Sequence, residues 1–352
     1  MRRSTPETDA DMPHVLLVAG ALVPEQHWEH VAPDSVPGRL ARRLMCAART
    51  VERFDALWCY GAAHLAWLAR AFGAPGDPPV AAPFAWRAES GLERAGSTSA
   101  GVWFCEPVHL SLEPERTVLT PIESPPLSGP EASELFAEAA DSAQGHGAEL
   151  RRGASHWYLL TDPAWSLWTV ALPATLGASV EQRLPRGQHA LQWRRLLNEV
   201  QMRWHASGVN REREARGQQS ANGLWLHGGG VWAPLPASRF ARVDSDDPAV
   251  LGWQQAAADG RRGPAGPDSL TVWSHLFEPY WRGDWRAWGS AWARLEAAVE
   301  SLLQSVRASP DRRVELVACG HRAAATFVLD GGAGLLAWRR RALRECLLEP
   351  AP

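Results

Sequence analysis

The segment from Asn198 to Gly230 combines side chains that can hold an anion with glycines that let a backbone approach a ligand closely. A helix is predicted to lead into it, because apolar residues recur there at helical spacing, and Gly208 is expected to end that helix. A short apolar strand over 224–226 then leads into three consecutive glycines. The candidate ligand-binding residues are Asn210, Arg213, Arg216, Asn222, Gly228, Gly229 and Gly230.

These residue types suit the recognition of a carboxylate or a phosphate. A guanidinium can donate two parallel hydrogen bonds to such a group. The alternative is a solvated surface loop followed by a tight turn, since arginine-rich loops are commonly exposed. His109, which follows a predicted strand, joins the candidate set, with a local structural role as its alternative.

The composition excludes several chemistries. Lysine and arginine together number 36, and every one of them is arginine. A Schiff base, a phosphate-loop lysine and a lysine general base are therefore excluded. The formal net charge is −3 with both signs interspersed, so the chain lacks the basic field that non-specific nucleic-acid binding requires. We expect no nucleic-acid partner.

The cysteines and the hydropathy pattern indicate the compartment. The 5 cysteines form no CxxC pair and leave at least one thiol unpaired, which fits a reducing compartment. Residues 1–13 hold no apolar segment of the kind found in a secretion signal. No run reaches the ~18 apolar residues that a membrane span requires. We therefore expect a cytoplasmic protein with no membrane partner.

Strands and helices are predicted to alternate, which is typical of an α/β protein. With 352 residues the chain is long enough for two domains or for one large unit with an insertion. Ser128 and Asp284 are expected to cap helices. The predicted strands are 14–21, 101–105, 117–120, 157–160, 167–172, 224–226, 269–276, 314–318 and 325–329. The predicted helical stripes are Leu40, Leu44, Ala47 and Val51; Leu65, Leu68 and Phe72; Ala132, Leu135, Phe136 and Ala139; Trp193, Leu197, Val200 and Trp204; and Trp288, Trp292, Leu295, Val299 and Leu302.

Two longer patterns resemble known families. Val209-Asn210-x-x-Arg213, followed by Gly217, Asn222 and the glycine-rich strand end, resembles a signature of the archaeal-type cofactor-independent phosphoglycerate mutases of the alkaline phosphatase superfamily. The fuller segments NEVQM, VNREREARG and NGLWLHGGG, with PVHL at 107–110, resemble the RpfE-type bacterial regulatory proteins.

The mutase resemblance implies an α/β architecture. In that family a metal-bearing sheet core, with helices on both faces, is interrupted by a smaller inserted α/β lobe. Carried over, residues 12–95 and 233–345 form a discontinuous alkaline-phosphatase-like core. Residues 100–232 form the inserted lobe, which carries the Asn/Arg/Gly motif.

The chain departs from the mutase pattern where that family binds two divalent metals. The first strand delivers Ala19-Gly20 where the family has Asp-Gly, and Cys319-Gly320-His321-Arg322 stands nearest to its Asp-His-Ser/Thr segment. Asp284 resembles the family's aspartate before a helix, but the second aspartate falls at Glu296 or Ala297. Without its carboxylates, a two-metal site has little to hold its ions.

The resemblance and its departures together indicate a catalytically degenerate phosphoglycerate mutase-like protein with a regulatory role. We expect it to bind a small phosphorylated or carboxylated metabolite through the Asn/Arg/Gly residues, and we expect no cofactor. A protein partner is left open.

Two alternatives remain. The first is an active phosphoglycerate mutase or phosphatase that uses Mn or Mg, whose ligands converge from scattered positions. Those positions are His27, His30, Asp34, Asp244, Asp247, His275, Glu278, Asp284 and His321. The second is a protein-interaction module that presents some of the 19 tryptophans as an apolar surface patch.

Overall fold

The computed structural model describes residues 13–31, 38–91, 100–122, 125–259, 268–307, 313–329 and 341–350. The chain divides into two compact units. Unit 1 comprises residues 1–72, 236–246 and 260–352, and unit 2 comprises residues 73–235 and 247–259. Within the described ranges, no helix has both the length and the apolar character that crossing a membrane demands.

Strands and helices follow one another along the whole described chain. The strands are β1 (His14–Val18), β2 (Ala48–Arg53), β3 (Gly101–Leu112), β4 (Thr117–Pro121), β5 (Glu149–Arg152), β6 (Trp157–Thr161), β7 (Gly223–Gly230), β8 (Phe240–Asp244), β9 (Asp268–Trp273), β10 (Val314–Cys319) and β11 (Ala323–Leu329). The α-helices are α1 (Gly38–Cys46), α2 (Ala63–Phe72), α3 (Ala82–Ser90), α4 (Gly129–Gly145), α5 (Ala190–Ala206), α6 (Gly208–Ala215), α7 (Pro248–Asp259), α8 (Phe277–Arg282), α9 (Trp285–Arg307) and α10 (Leu343–Leu347). Short 3-10 helices cover Glu25–His30, Leu57–Cys59 and Leu172–Ala174.

Unit 1 is built on a six-stranded sheet in the order β2-β11-β10-β1-β9-β8. The strands β10, β1, β9 and β8 pair in parallel, and β11 and β2 pair antiparallel. All four residues from Val15 to Val18 are buried, as expected of a central parallel strand that is covered on both faces. The long helix α9 packs its apolar stripe into this core, and Trp288 stacks on Trp292 with ring centroids 5.1 Å apart.

Unit 2 is built on an antiparallel sheet in the order β4-β3-β6-β5, with β7 paired to β3. One face packs against α4 and α5 through buried side chains such as Trp103, Leu226 and Trp204. The other face packs Phe104 and Tyr158 against α3 and α7. Successive side chains along β3 point to opposite faces of the sheet, so neighbouring residues pack into these two separate cores.

The predicted α/β fold class is confirmed, and so are both predicted helix caps. Ser128 accepts a hydrogen bond from the N–H of Glu131, whose side chain accepts from the N–H of Ser128, so the pair forms a capping box. The carboxylate of Asp284 accepts from the N–H of Ala287 at 2.9 Å. The five cysteines are free thiols, and Cys59, Cys105, Cys319 and Cys346 are buried.

Three local predictions were wrong. Val51 lies in β2, because helix α1 ends at Cys46 and Val51 pairs with Ala325 across the sheet. Residues 167–172 form no strand; Leu172 instead begins a 3-10 helix, and Pro173 supplies no N–H for a sheet ladder. Helix α5 ends at Ala206, close to the expected Gly208, but the segment after it is a second helix, α6, instead of a loop, since its Arg- and Glu-rich sequence favours a helix.

The units do not follow the predicted core and lobe boundaries throughout. Residues 73–91, which the sequence assigned to the core, lie in unit 2, as does α7. The reason is that α3 packs on α7 and on β3, so this segment shares the core of the antiparallel sheet.

The packing of α3 on α7 predicts the effect of a single methyl group. A Cβ built at Gly252 would overlap the backbone carbonyl of Phe84, so Gly252→Ala forces the two helices apart. We expect a loss of about 1–3 kcal/mol in the free energy of unfolding, measured by urea denaturation. Gly145→Ala is the matched control, because a Cβ there meets no atom within 4 Å. Equal stabilities of the two variants would contradict the close packing.

Candidate functional site

Asn210 lies on α6 and is 3% exposed. Its Nδ2 donates to the carbonyl oxygens of Trp204 and Ala221 at 2.8 and 2.7 Å. Its Oδ1 accepts from the N–H of Ala221 at 2.9 Å. The amide therefore joins the end of α5 to the segment that enters β7.

Arg213 is a buried cation, with 1% of its surface exposed. Its Nε donates to the carbonyl of Gln219 and its Nη2 to that of Pro125, both at 2.7 Å. Its Nη1 donates to a carboxylate oxygen of Glu131 at 3.1 Å and to the carbonyl of Pro126 at 3.5 Å. Each guanidinium nitrogen thus already has an acceptor inside the protein.

Arg216 binds the same carboxylate from the surface. Its Nη2 lies 2.7 Å from the other oxygen of Glu131, and its side chain is 52% exposed. The N–H of Ser128, and then the two guanidiniums, lower the pKa of the Glu131 carboxyl. Glu131 therefore stays charged and holds α4 to α6.

Asn222 and His109 lie where β7 begins beside β3. The Oδ1 of Asn222 accepts from the N–H of Leu110 at 2.6 Å, and its Nδ2 donates to the carbonyl of Leu110 at 2.9 Å. The Nδ1 of His109 donates to the carbonyl of Ser220 at 2.8 Å. Both side chains thus form hydrogen bonds between β3 and the segment that leads into β7.

The three candidate glycines form the end of β7. Gly228 has a φ of +62°, which favours glycine. A Cβ at Gly229 would overlap the indole of Trp103 on β3. These glycines therefore allow a close approach. The approaching group is a side chain of β3 at Gly228 and Gly229, and it is the side chain of Val80 at Gly230.

The structure gathers Asn210, Arg213 and Arg216 around the 217–222 segment, with Asn222 and His109 at its end. The described contacts of Asn210 and Arg213 favour a structural clamp. A role of the motif in anion binding stays a prediction.

The position that the resemblance assigns to metal is the carboxyl end of the parallel strands in unit 1. There Gly20 turns the chain after β1 with a φ of +77°, and its carbonyl accepts from the indole N–H of Trp288 at 2.8 Å. A Cβ at Gly20 would press on the backbone of Leu276, so this glycine allows α8 to lie close. Burial raises the pKa of the Cys319 thiol, which stays protonated at neutral pH.

The turn after β10 holds a carboxylate that sequence reasoning did not single out. The N–H groups of Arg322 and Ala323 donate to Oε1 of Glu349 at 2.5 and 3.0 Å. A Cβ at Gly320 would come within 3.0 Å of the same oxygen. Burial raises the pKa of Glu349, against the opposing effect of these backbone donors. No pattern of residue types predicts this contact, because the donors are backbone groups.

Polar atoms without a hydrogen-bond partner surround this turn. They are Nδ1 of His321 and Nδ1 of His64. Tyr280 is 4% exposed, and its ring centroid lies 5.1 Å from that of His321. Burial lowers the pKa of both His64 and His321 to about 4, so both rings are neutral at neutral pH.

The scattered ligands of the metal-enzyme alternative are not gathered. Among the described residues, no group of three or more His, Cys, Asp or Glu is placed to hold a metal ion. Asp284 caps α9, and His27 contacts the ring of Trp285. Asp34 lies outside the described residues.

The tryptophan-patch alternative requires exposed tryptophans, and the described part of the chain has none. The exposed large hydrophobic residues there are Val51, Tyr60, Leu112, Leu191, Met202 and Val231. The described tryptophans are buried or half-buried.

Unit 2 carries an open cleft of about 500 Å³ beside β5. Arg151 and Arg152 line it, together with Trp86 and Phe136. Arg151 pairs with Glu149 at 2.6 Å, whereas Arg152 donates to the hydroxyl of Ser133 at 3.1 Å. The cleft is thus a second place at which a small anion could meet arginine.

No protein-family model matches the chain, and no curated protein matches it in sequence. Among solved structures, the PH0037 protein from Pyrococcus horikoshii is similar, with a TM-score of 0.51 and 12% identity over 96% of this chain and 92% of that chain. This likeness shows the fold alone. A cofactor-independent phosphoglycerate mutase from Thermoplasma acidophilum DSM 1728 aligns with a TM-score of 0.38 and 10% identity over 96% and 100% of the two chains. That score is too low to support a conclusion about fold or function.

The two arginines that share Glu131 form a matched pair of variants. Arg213→Ala leaves buried carbonyls and a carboxylate without their donor, so we expect it to lower the free energy of unfolding by about 3 kcal/mol or more. Arg216→Ala removes an exposed ion pair and should cost less than about 1 kcal/mol. Urea denaturation measures both. An Arg213→Ala protein that loses anion binding at unchanged stability would instead assign Arg213 to a ligand site.

Proposed function

We propose that this chain is a non-catalytic, phosphoglycerate mutase-like binding protein with a regulatory role, and that it binds a small phosphorylated or carboxylated metabolite at the turn after β10. The observation behind this proposal is that the backbone N–H groups of Arg322 and Ala323 donate hydrogen bonds to the carboxylate of Glu349. Because these N–H groups already bind a carboxylate of the protein, they can bind the carboxylate or phosphate of a ligand in the same way.

The place of this turn in the sheet supports the proposal. Ligands of α/β sheets bind outside the carboxyl ends of parallel strands, and β10 runs parallel to β1. Successive backbone N–H groups in a turn form a concave donor set that suits an anion. Gly320 contributes by leaving the room that a side chain would fill.

The charges around the turn also suit an anion. Ala19 and the segment Cys319-Gly320 stand nearest to the positions where the resemblance places metal-binding carboxylates. Neither adds negative charge, because burial keeps the Cys319 thiol protonated. The neutral ring of His321 has an Nδ1 that lacks a partner within the protein, and the ring of Tyr280 lies 5.1 Å from it. The site thus offers uncharged hydrogen-bonding groups to an anion.

The ligand competes with Glu349 for the same donors. A hydrogen bond to a charged group contributes about 1.5–3 kcal/mol net, so the internal carboxylate lowers the apparent affinity by about tenfold or more. Only the side chain must leave, because the backbone of this segment is held separately: the N–H of Glu349 donates to the carbonyl of Val23 at 2.9 Å.

Removing the internal competitor should strengthen anion binding. We expect Glu349→Ala to bind inorganic phosphate or 3-phosphoglycerate about tenfold more tightly than the natural chain, measured by isothermal titration calorimetry. Glu345→Ala is the matched control, since Glu345 is exposed on α10 and should leave the affinity unchanged.

Two results would contradict this location. Unchanged affinity in Glu349→Ala would remove the turn after β10 from the binding site. Binding that is lost in Arg152→Ala and kept in Glu349→Ala would place the anion in the cleft of unit 2.

The non-catalytic part of the proposal has its own measurement. We expect the purified, dialysed protein to hold no stoichiometric Mn, Zn or Mg by elemental analysis. It should also show no phosphoglycerate mutase or phosphatase turnover with added Mn or Mg, because the carboxylates of a two-metal site are missing from the matching positions. Bound metal together with turnover would overturn the non-catalytic assignment and favour a phosphotransferase.

A further inference from the structure

The cleft of unit 2 lies along a free sheet edge. In the described part of the chain, β5 is the last strand of its antiparallel sheet and pairs with β6 alone. The cleft beside it has a volume of about 500 Å³, within the range of roughly 300–1,000 Å³ that is typical of binding sites. The proposed function does not use this edge.

The register of β5 identifies the backbone groups that face the free edge. The N–H of Gly153 donates to the carbonyl of His156 at 2.8 Å, so these two residues form a hydrogen-bonded pair. Such pairs alternate along an antiparallel ladder, which makes Arg151 the next residue that is bonded to β6. The N–H and C=O groups of Leu150 and Arg152 therefore point away from β6, towards the free edge.

These backbone groups are available to another strand. Among the described residues, no hydrogen bond reaches the N–H or the C=O of Leu150 or Arg152 from the free side of β5. An extended segment placed beside β5 would pair with them in the way that strands pair within a sheet. Donors and acceptors at regular strand spacing suit an extended peptide better than a compact small molecule.

Apolar side chains line the cleft on both faces of the sheet. They are Phe136, Ala140 and Leu150 on the face that carries α4, and Trp86 and Leu160 on the face that carries α3. Side chains alternate between the two faces along a strand, so an added strand would place its side chains against both sets in turn. Apolar side chains of a partner would thus gain contacts on each face.

The charges at the edge favour an acidic segment. Arg151 pairs with Glu149 at 2.6 Å, so these two charges cancel. Arg152 donates to the hydroxyl of Ser133 at 3.1 Å, and no carboxylate of the described residues pairs with it. The edge therefore carries one uncompensated positive charge, which attracts an acidic strand and repels a basic one. A second copy of β5 would bring two such charges together, so it fits less well.

We infer that the free edge of β5 binds a partner protein through an extended acidic peptide segment, which joins the sheet as an antiparallel strand. An acidic residue of that segment lies opposite Arg152, and the residue two positions along lies opposite Leu150 and packs against Phe136. The inference goes beyond anion binding in unit 1 and is independent of it, since no residue is shared.

The test is isothermal titration calorimetry of the full chain with a blocked heptapeptide of valine and threonine that has one central glutamate. We expect saturable binding in the micromolar range. The same peptide with lysine in place of the glutamate should bind about tenfold more weakly, because it places a second positive charge beside Arg152.

Two N-methylated peptides separate strand addition from binding through side chains alone. The first carries methyl groups on the nitrogens of the glutamate and of the residues two positions away, whose N–H groups face β5 in the antiparallel register. It should lose about tenfold or more in affinity, because the methyl groups remove these hydrogen bonds. The second carries methyl groups on the intervening nitrogens, which face away from β5, and should keep its affinity.

A pair of protein variants tests the charge. Arg152→Ala should weaken binding of the glutamate peptide by about tenfold and remove the preference over the lysine peptide. Arg116→Ala is the matched control, because Arg116 is another exposed arginine of unit 2 that pairs with Glu113 between β3 and β4. It should leave binding unchanged. Circular dichroism of each variant confirms that it is folded before it is titrated.

Four results would overturn the inference. The first two are a glutamate peptide that does not saturate and an Arg152→Ala protein that binds it as the natural chain does. The third is equal binding of the two methylated peptides. The fourth is a dimer in light scattering that Arg152→Pro dissociates, since proline there removes only the N–H at the free edge and a second copy would then occupy β5.

Discussion

The buried guanidinium of Arg213 is the contact on which the helical layer of unit 2 depends. A buried cation costs a large desolvation free energy unless acceptors replace its water. Here the acceptors come from three other places in the chain: the carbonyl of Gln219, the carbonyls of Pro125 and Pro126, and the carboxylate of Glu131. Because Glu131 also completes the cap of α4, one charge fixes where α4 begins, where α6 lies and how the chain enters β7.

This arrangement explains why the residue types in the motif fit both a ligand site and a structural clamp. A guanidinium and an amide recognise a carbonyl or a carboxylate whether it belongs to a metabolite or to the protein's own loops. Residue type and spacing do not separate these cases, whereas burial and the identity of the acceptors do. At Glu349, by contrast, the donors are backbone N–H groups, so no pattern of side chains in the sequence predicts the contact.

The sequence predicted features whose cause is local. The caps at Ser128 and Asp284, the stripe of α9 and the buried strand β1 all follow from a few neighbouring residues. Non-local pairing decided the features that were missed, such as Val51, which pairs with β11. The ring cluster of Phe104, His156, Tyr158 and His227 is the extreme case. Its members are far apart in the chain, and the pairing of β3 with β6 and β7 brings them together.

The distribution of thiols gives each unit its own reporter of opening. Cys105 lies in unit 2, whereas Cys59, Cys319 and Cys346 lie in unit 1, and all four are buried. Burial raises the pKa of Cys105, Cys319 and Cys346, which further suppresses the thiolate that alkylating reagents attack. Modification of Cys105 therefore reports the opening of unit 2, and modification of the others reports the opening of unit 1. Peptide mapping of a labelled sample would thus separate the local stabilities of the two units in one unmutated protein.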